Sequence, residues 1–162
     1  MTNDSQEVIE GIAKLFSSLD IEHQIVSDAG DAEVTIIQAA FHVNIKPEGG
    51  EPFEASFPLT VMPMPDAFND LYVRFTITPF IEKESPELPA MIYRELAEIN
   101  NRIPLLKFAV DGDDDIELVA DLTVSAVNRN AVETILRVMA DYVNMCFPYL
   151  LGVMDSAQNG DE

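Results

Sequence analysis

Tryptophan is absent from this sequence, cysteine occurs once, histidine twice, and only 9 lysines and arginines stand against 29 aspartates and glutamates. Each shortage removes a class of function. A single cysteine, Cys146, excludes an internal disulfide and suits a reducing compartment. Neither His23 nor His42 has another histidine or a cysteine at metal-ligand spacing, so zinc lacks a ligand set. The few cations, scattered from Lys14 to Arg137, form no cluster, and a net charge of −20 repels phosphate. Nucleic acid and anionic membranes are thereby excluded as partners. The longest nearly apolar run, Met145 to Met154, is about half of the ~20 residues that span a bilayer. The start, MTNDSQEVIEG, has no basic stretch ahead of an apolar one. The chain reads as soluble, unprocessed and cytoplasmic.

Catalytic motifs are missing as well. No glycine-rich turn between a strand and a helix cradles a phosphate, and there is no Gly-x-Ser-x-Gly elbow and no Gly-Lys-Ser or Gly-Lys-Thr. Acidic pairs are so abundant that a general acid and base could be nominated anywhere, and solvated charge accounts for them. The expectation is a protein without catalytic residues or a cofactor.

What is present is a core. Apolar residues make up 48% of 162 residues, among them 9 phenylalanines, so the acid excess belongs on the outside of something folded rather than to a disordered chain. One domain is expected over residues 1–154, followed by a flexible acidic tail at 155–162. The uncompensated negative charges repel one another in the compact state, so salt should stabilise the fold by screening. The melting temperature is expected to rise between about 10 and about 500 mM NaCl, and a flat thermal-melt series would contradict this.

Periodicity gives the elements. Val8, Ile12, Phe16 and Leu19 share a helical face behind a capping box at Asp4 and Glu7, which predicts helix one over about Ser5 to Leu19. A weak strand over Ile21 to Ser27 and a turn at Asp28 to Asp31 follow. Ile37, Ala39, Phe41, Val43 and Ile45 then alternate with polar residues, and after the turn Pro47 to Glu51 so do Phe53, Ala55, Phe57, Leu59 and Val61. Pro58 removes an amide in that second strand, which places it near a sheet edge. A connector at Pro63 to Asp66 leads to a strand with Leu71, Val73, Phe75 and Ile77 inward.

Ser85, Pro86 and Glu87 open helix two, whose stripe is Leu88, Ile92, Leu96 and Ile99, and Asn100, Asn101 and Pro104 end it. A hairpin with Leu106, Phe108 and Val110 turns at Asp111-Gly112 and returns through Ile116, Leu118, Ala120 and Leu122. The last helix opens at Asn128 or Asn130 and carries Val132, Ile135, Leu136, Met139, Val143, Cys146 and Leu150, with Pro148 expected to kink or break it. The fold class is α+β: two layers, an antiparallel sheet of 5 to 6 strands with three helices on one face, in the order α-β(3–4)-α-β-β-α.

Asp111, Asp113 and Asp115 stand at the alternate positions that open a calcium loop, but the loop's glycine would fall at Ile116 and its bidentate glutamate at Leu122. These residues are a weak cation candidate, and a solvated hairpin turn is the simpler reading. The stronger signal is apolar. From Tyr142 onward the last helix is apolar nearly all round, which makes Tyr142, Met145, Tyr149 and Met154 candidates for a partner or homodimer contact. Met62 and Met64, interleaved with Pro63 and Pro65, are a second candidate surface.

Leu96-Ala97-Glu98-Ile99-Asn100-Asn101, then Leu106 to Asp113, then Ile116 to Leu122 and the closing amphipathic helix resemble the YbjN family of bacterial sensory-transduction regulators. The stretch is also similar to the wider group with a type III secretion chaperone-like fold. That resemblance implies the order α-β-β-β-α-β-β-α and a small, acidic, commonly homodimeric protein that binds a client. The expected function is a non-enzymatic, protein-binding adaptor or regulator. A small-ligand or cation-sensing domain is the alternative.

Overall fold

The computed structural model describes residues 2–28, 34–65, 71–82 and 90–159. Helix α1 (Thr2–Ser18) leads into four strands, β1 (His23–Asp28), β2 (Val34–Ile45), β3 (Phe53–Pro65) and β4 (Leu71–Ile77). Helix α2 (Ala90–Asn100), strands β5 (Leu106–Val110) and β6 (Ile116–Thr123), a short 3-10 turn and helix α3 (Arg129–Asn159) follow among the described residues. The expected turn at 29–31, Asp66 and the start of helix two at 85–88 lie outside the described residues.

The six strands form one antiparallel sheet in the order β1-β2-β3-β4-β6-β5. Registry follows the hydrophobic alternation: Phe41 faces Phe57, Val61 faces Phe75, and Ile77 faces Leu118, all on one side of the pleat. That side joins Ile9, Ile12 and Phe16 of α1, Ile92 and Leu96 of α2, and the stripe from Val132 to Met154 of α3 in a single apolar cluster. The three helices therefore share one face of the sheet. The other face carries Gln38, His42, Asn44 and Glu54 in solvent. On it Arg74 grips its cross-strand neighbour Asp121 through two hydrogen bonds of 2.8 and 3.0 Å. Thr76 and Val119, paired at the centre of this open face, are nonetheless 4% and 8% exposed.

Pro58 is not on an edge strand, because β3 pairs with β2 on one side and β4 on the other. Its register with β4 begins only at Leu59, however, opposite the last residue of that strand, Ile77. The carbonyl of Pro58 accepts from the Thr78 amide at 3.4 Å, so the missing N–H points toward the side where β4 has ended. The proline is tolerated at a local edge inside a central strand. Strand β3 also runs through Pro65, so Pro63, Met64 and Pro65, expected in a connector, are strand residues.

Two further expectations change. Pro148 does not break the last helix, which is continuous over 31 residues, or about 46 Å. Pro148 takes the N–H away from the Asn144 carbonyl, but Cys146 and Leu150 on either side are buried and hold the segment against the core. The helix continues to Asn159, so residues 155–159, placed in a flexible tail, are helical. Of the two possible caps, Asn128 serves: its Oδ1 accepts the Ala131 amide at 3.0 Å.

One edge of the sheet, β5, is closed by a side chain. On β5 the side chain of Asn100 pairs with the backbone of Phe108 as a neighbouring strand would, donating Nδ2–H to its carbonyl at 2.8 Å and accepting its amide at 2.7 Å. The residue that ends α2 thus also seals an open strand edge.

Candidate functional site

Helices α2 and α3 converge beside the end of β2 and leave a groove of about 1190 Å³ between them. It is larger than the hollow of about 550 Å³ bordered by Gln38, Ser56 and Pro58 and the one of about 320 Å³ beside Phe80. Tyr142, Met145 and Tyr149 line its α3 side. Their spacing of three and four residues places them in one stripe. They sit beside the buried stripe of Val143, Cys146 and Leu150, which is why α3 is apolar over so much of its girth. Met145 is 58% and Tyr149 50% exposed. Both side chains therefore stand open to solvent on the wall of the groove.

The polar groups of the groove are unevenly engaged. The Tyr149 hydroxyl donates to Glu95 across the two helices. This bond, with burial and the nearby carboxylates adding to it and Arg102 opposing, holds the phenol above its usual range. Glu98 is paired with Arg94 at 3.1 Å. The Lys46 backbone amide donates to the Asn144 side chain at 2.8 Å and ties the end of β2 to α3. Neither the Lys46 nor the Arg102 side chain has an ion-pair partner among the described residues.

Cys146 lies at the base of the groove and is 3% exposed, and burial pushes its thiol up to about 11. At pH 8 the thiolate fraction of the folded chain is then about 100-fold below that of an unfolded cysteine, so iodoacetamide should label native protein slowly and denatured protein fast. Equal rates would contradict the burial. A thiol whose folded pKa is raised favours the fold below the unfolded value, near 9, and this contribution is lost as pH climbs toward 11.

The candidate contact residues do not form one surface. Tyr142, Met145 and Tyr149 meet in the groove, whereas Met154 is 6% exposed and belongs to the core. It lies about one and a half turns beyond Tyr149, on the same buried side of the helix as Leu150. Met62 and Met64 lie on the opposite, open face, across from Arg74 and Tyr72, and are half-buried. Lys46 and Arg102 also line the groove and were not singled out by sequence, since nothing local distinguishes a lysine after β2 from other surface lysines.

The acidic hairpin turn is built by its own carboxylate. Asp111 Oδ1 accepts the amides of Asp113 and Asp115, each at 2.9 Å, and Asp114 adopts the left-handed region with φ 62°. Tyr93 on α2 donates to Asp114 at 3.4 Å. Among the described residues no group of three His, Cys, Asp or Glu side chains is placed to hold a metal ion. Asp111 thus builds the turn with its own carboxylate, as the hairpin-turn reading of this segment expects. Next to this turn, burial and then Asp111 push the Glu117 carboxyl above its usual range, opposed by Arg74.

Among the described residues no helix is long and apolar enough to cross a membrane. A family model described as "YbjN: Putative bacterial sensory transduction regulator" matches residues 55–152, from β3 through most of α3, which takes in both walls of the groove. Comparison with curated proteins and with solved structures returns no significant match.

Proposed function

The chain belongs to the YbjN family, and from that premise we propose that it is a non-enzymatic regulator that works by binding another protein in the groove between α2 and α3. The observation that carries this reading is the stripe of Tyr142, Met145 and Tyr149, with Met145 and Tyr149 half or more exposed beside a well-packed core. Large amphipathic side chains of these types are enriched where proteins meet. The titratable groups of the groove support a binding role: Glu95 is engaged by Tyr149, Glu98 by Arg94, and Cys146 is kept protonated by burial. The order of helices and strands supports a chaperone-like adaptor, in which a client segment is held on the surface of a small acidic domain.

A photo-crosslinking amino acid at position 145, compared with one at Gln38 on the open sheet face, tests this in cells that make the protein. A discrete protein adduct at 145 and none at 38 is the expected result. Adducts at both sites, or at neither, would overturn the reading. The alternative, a small-ligand sensor, draws on the groove volume, which is of the size of ligand sites. Thermal-shift screening separates the two, since a small molecule that raises the melting temperature by several degrees favours the sensor.

A further inference from the structure

Of the two strands at the ends of the sheet, β1 and β5, only β5 is guarded among the described residues. Asn100 seals β5, and Lys107 lies within it, a charge that discourages pairing at an edge. Strand β1 has neither device. Its sequence, His23-Gln24-Ile25-Val26-Ser27-Asp28, holds no proline or lysine and no acid before its last residue. Its side-chain hydrogen bonds turn inward or back along the chain: Gln24 donates to Gln38 and Ser27 meets Thr35 on β2, while His23 Nδ1 donates to the Ile21 carbonyl. Apart from its ladder with β2, β1 makes no backbone hydrogen bond among the described residues. Its outer rim is a row of amides and carbonyls open to another strand.

Ile25 adds an apolar contact at that rim. It pairs with Ile37 and so shares the helix-side phase, but Ile37 is fully buried whereas Ile25 is 48% exposed and stands outside the apolar cluster. Symmetry and charge then limit what covers it. A two-fold axis normal to the sheet sets two β1 strands antiparallel, with the helices of both copies on one side, and opposes residues of the same phase. Centred on Ile25, the pairing would set Glu22 against Asp28, acid against acid. Centred on Val26, it keeps residues 24–28 in the ladder, sets Gln24 opposite Asp28 and Ile25 opposite Ser27, and leaves the two copies of Ile25 within diagonal reach. No like charges oppose one another in that register. We infer that β1 pairs antiparallel with β1 of a second copy about Val26, joining the two sheets into one. No residue of β1 lines the groove between α2 and α3, so each copy keeps its groove, and the pairing stands or falls independently of the binding role proposed there.

A ladder this short buries less than the roughly 1,000 Å² of a stable interface, so the dimer is expected to be weak, with a dissociation constant on the order of 100 μM. Each copy carries −20, so salt should tighten the pairing by screening, about tenfold between about 50 and about 500 mM NaCl. Sedimentation equilibrium of the full chain measures both. Val26→Lys, which sets ammonium against ammonium on the axis, should leave a monomer, and an unchanged circular dichroism spectrum shows that the variant is folded. Met145→Glu should leave the dimer intact. Mild oxidation should join Val26→Cys chains by a disulfide but not Gln24→Cys chains, because position 24 lies about 13 Å along the strand from its own copy in this register. The unaltered chain, whose Cys146 is buried, should not cross-link. A chain that stays monomeric at about 500 μM in high salt overturns the inference and leaves the edge to a strand of another protein. A dimer that salt weakens, that survives Val26→Lys, or that joins through position 24 rather than 26 overturns it as well. A dimer lost in Met145→Glu would assign the contact to the groove and equally overturn it.

Discussion

Replacing Phe80 by alanine is expected to destabilise the fold by about 3–5 kcal/mol, the cost of removing a fully buried aromatic ring and leaving its cavity. Phe80 is 1% exposed although it lies in no strand or helix. Strand β4 stops at Ile77 while its neighbour β3 extends back to Phe53, so the sheet has a notch, and Phe80 fills it. Its ring stacks on Phe57 with centroids 5.9 Å apart and meets Phe108 at 5.0 Å and Phe147 at 5.9 Å edge to face. Its amide donates to the Ile116 carbonyl at 2.7 Å, which ties it to the first residue of β6. Phe80→Leu, which keeps much of the volume, should cost less than half as much as the alanine variant. Urea unfolding of both variants measures the difference. A loss below about 1 kcal/mol for Phe80→Ala would mean that the notch collapses or is filled from elsewhere.

The second large effect is expected at Asn100. Alanine there removes both hydrogen bonds to Phe108 and leaves an amide and a carbonyl of a part-buried edge strand without partners, at a cost of about 2–3 kcal/mol. The amide of Phe108 should lose its protection against hydrogen exchange selectively, while those of β3 and β4 at the sheet centre keep theirs. Asn100→Asp retains an acceptor for the Phe108 amide but sets a carboxylate against the Phe108 carbonyl, so it should rescue little. The unsealed edge also becomes a template for another strand, and the alanine variant should self-associate at concentrations where the unaltered chain does not. Unchanged exchange at Phe108 would show that the bonds carry no stability.

These residues mark where sequence was informative and where it was not. The inward phase of the strands was legible residue by residue, because a one-residue slip would turn Phe41, Leu59, Phe75 and Leu118 into water, and only one register avoids that. The stripe of α3 was equally plain. Pro58 was read as an edge signal and sits in a central strand, because a proline reports only that its own amide lacks a partner, and a neighbour that ends early meets that condition as well as an edge does. Pro148 was read as a kink or a break, and the helix runs on through it, with buried residues on either side outweighing its missing bond. Of the contact candidates, Tyr142, Met145 and Tyr149 reached the groove, whereas Met154, with the same chemistry on the same helix, went to the core. Local pattern cannot separate those fates, since an all-round apolar helix does not declare which side its neighbours cover.

The amino-acid sequence by itself determined the order of helices and strands, the dry and wet sides of the sheet, and the acidic exterior. All of these follow from spacings of two, three and four residues, which set local structure wherever the chain lies. The tertiary structure alone decided that Phe80 plugs the sheet, that Asn100 seals β5, and that Lys46 meets Arg102 and the α3 stripe around one groove. Each of these joins residues from separate elements, and such meetings depend on how the helices settle on the sheet, which no short-range period encodes.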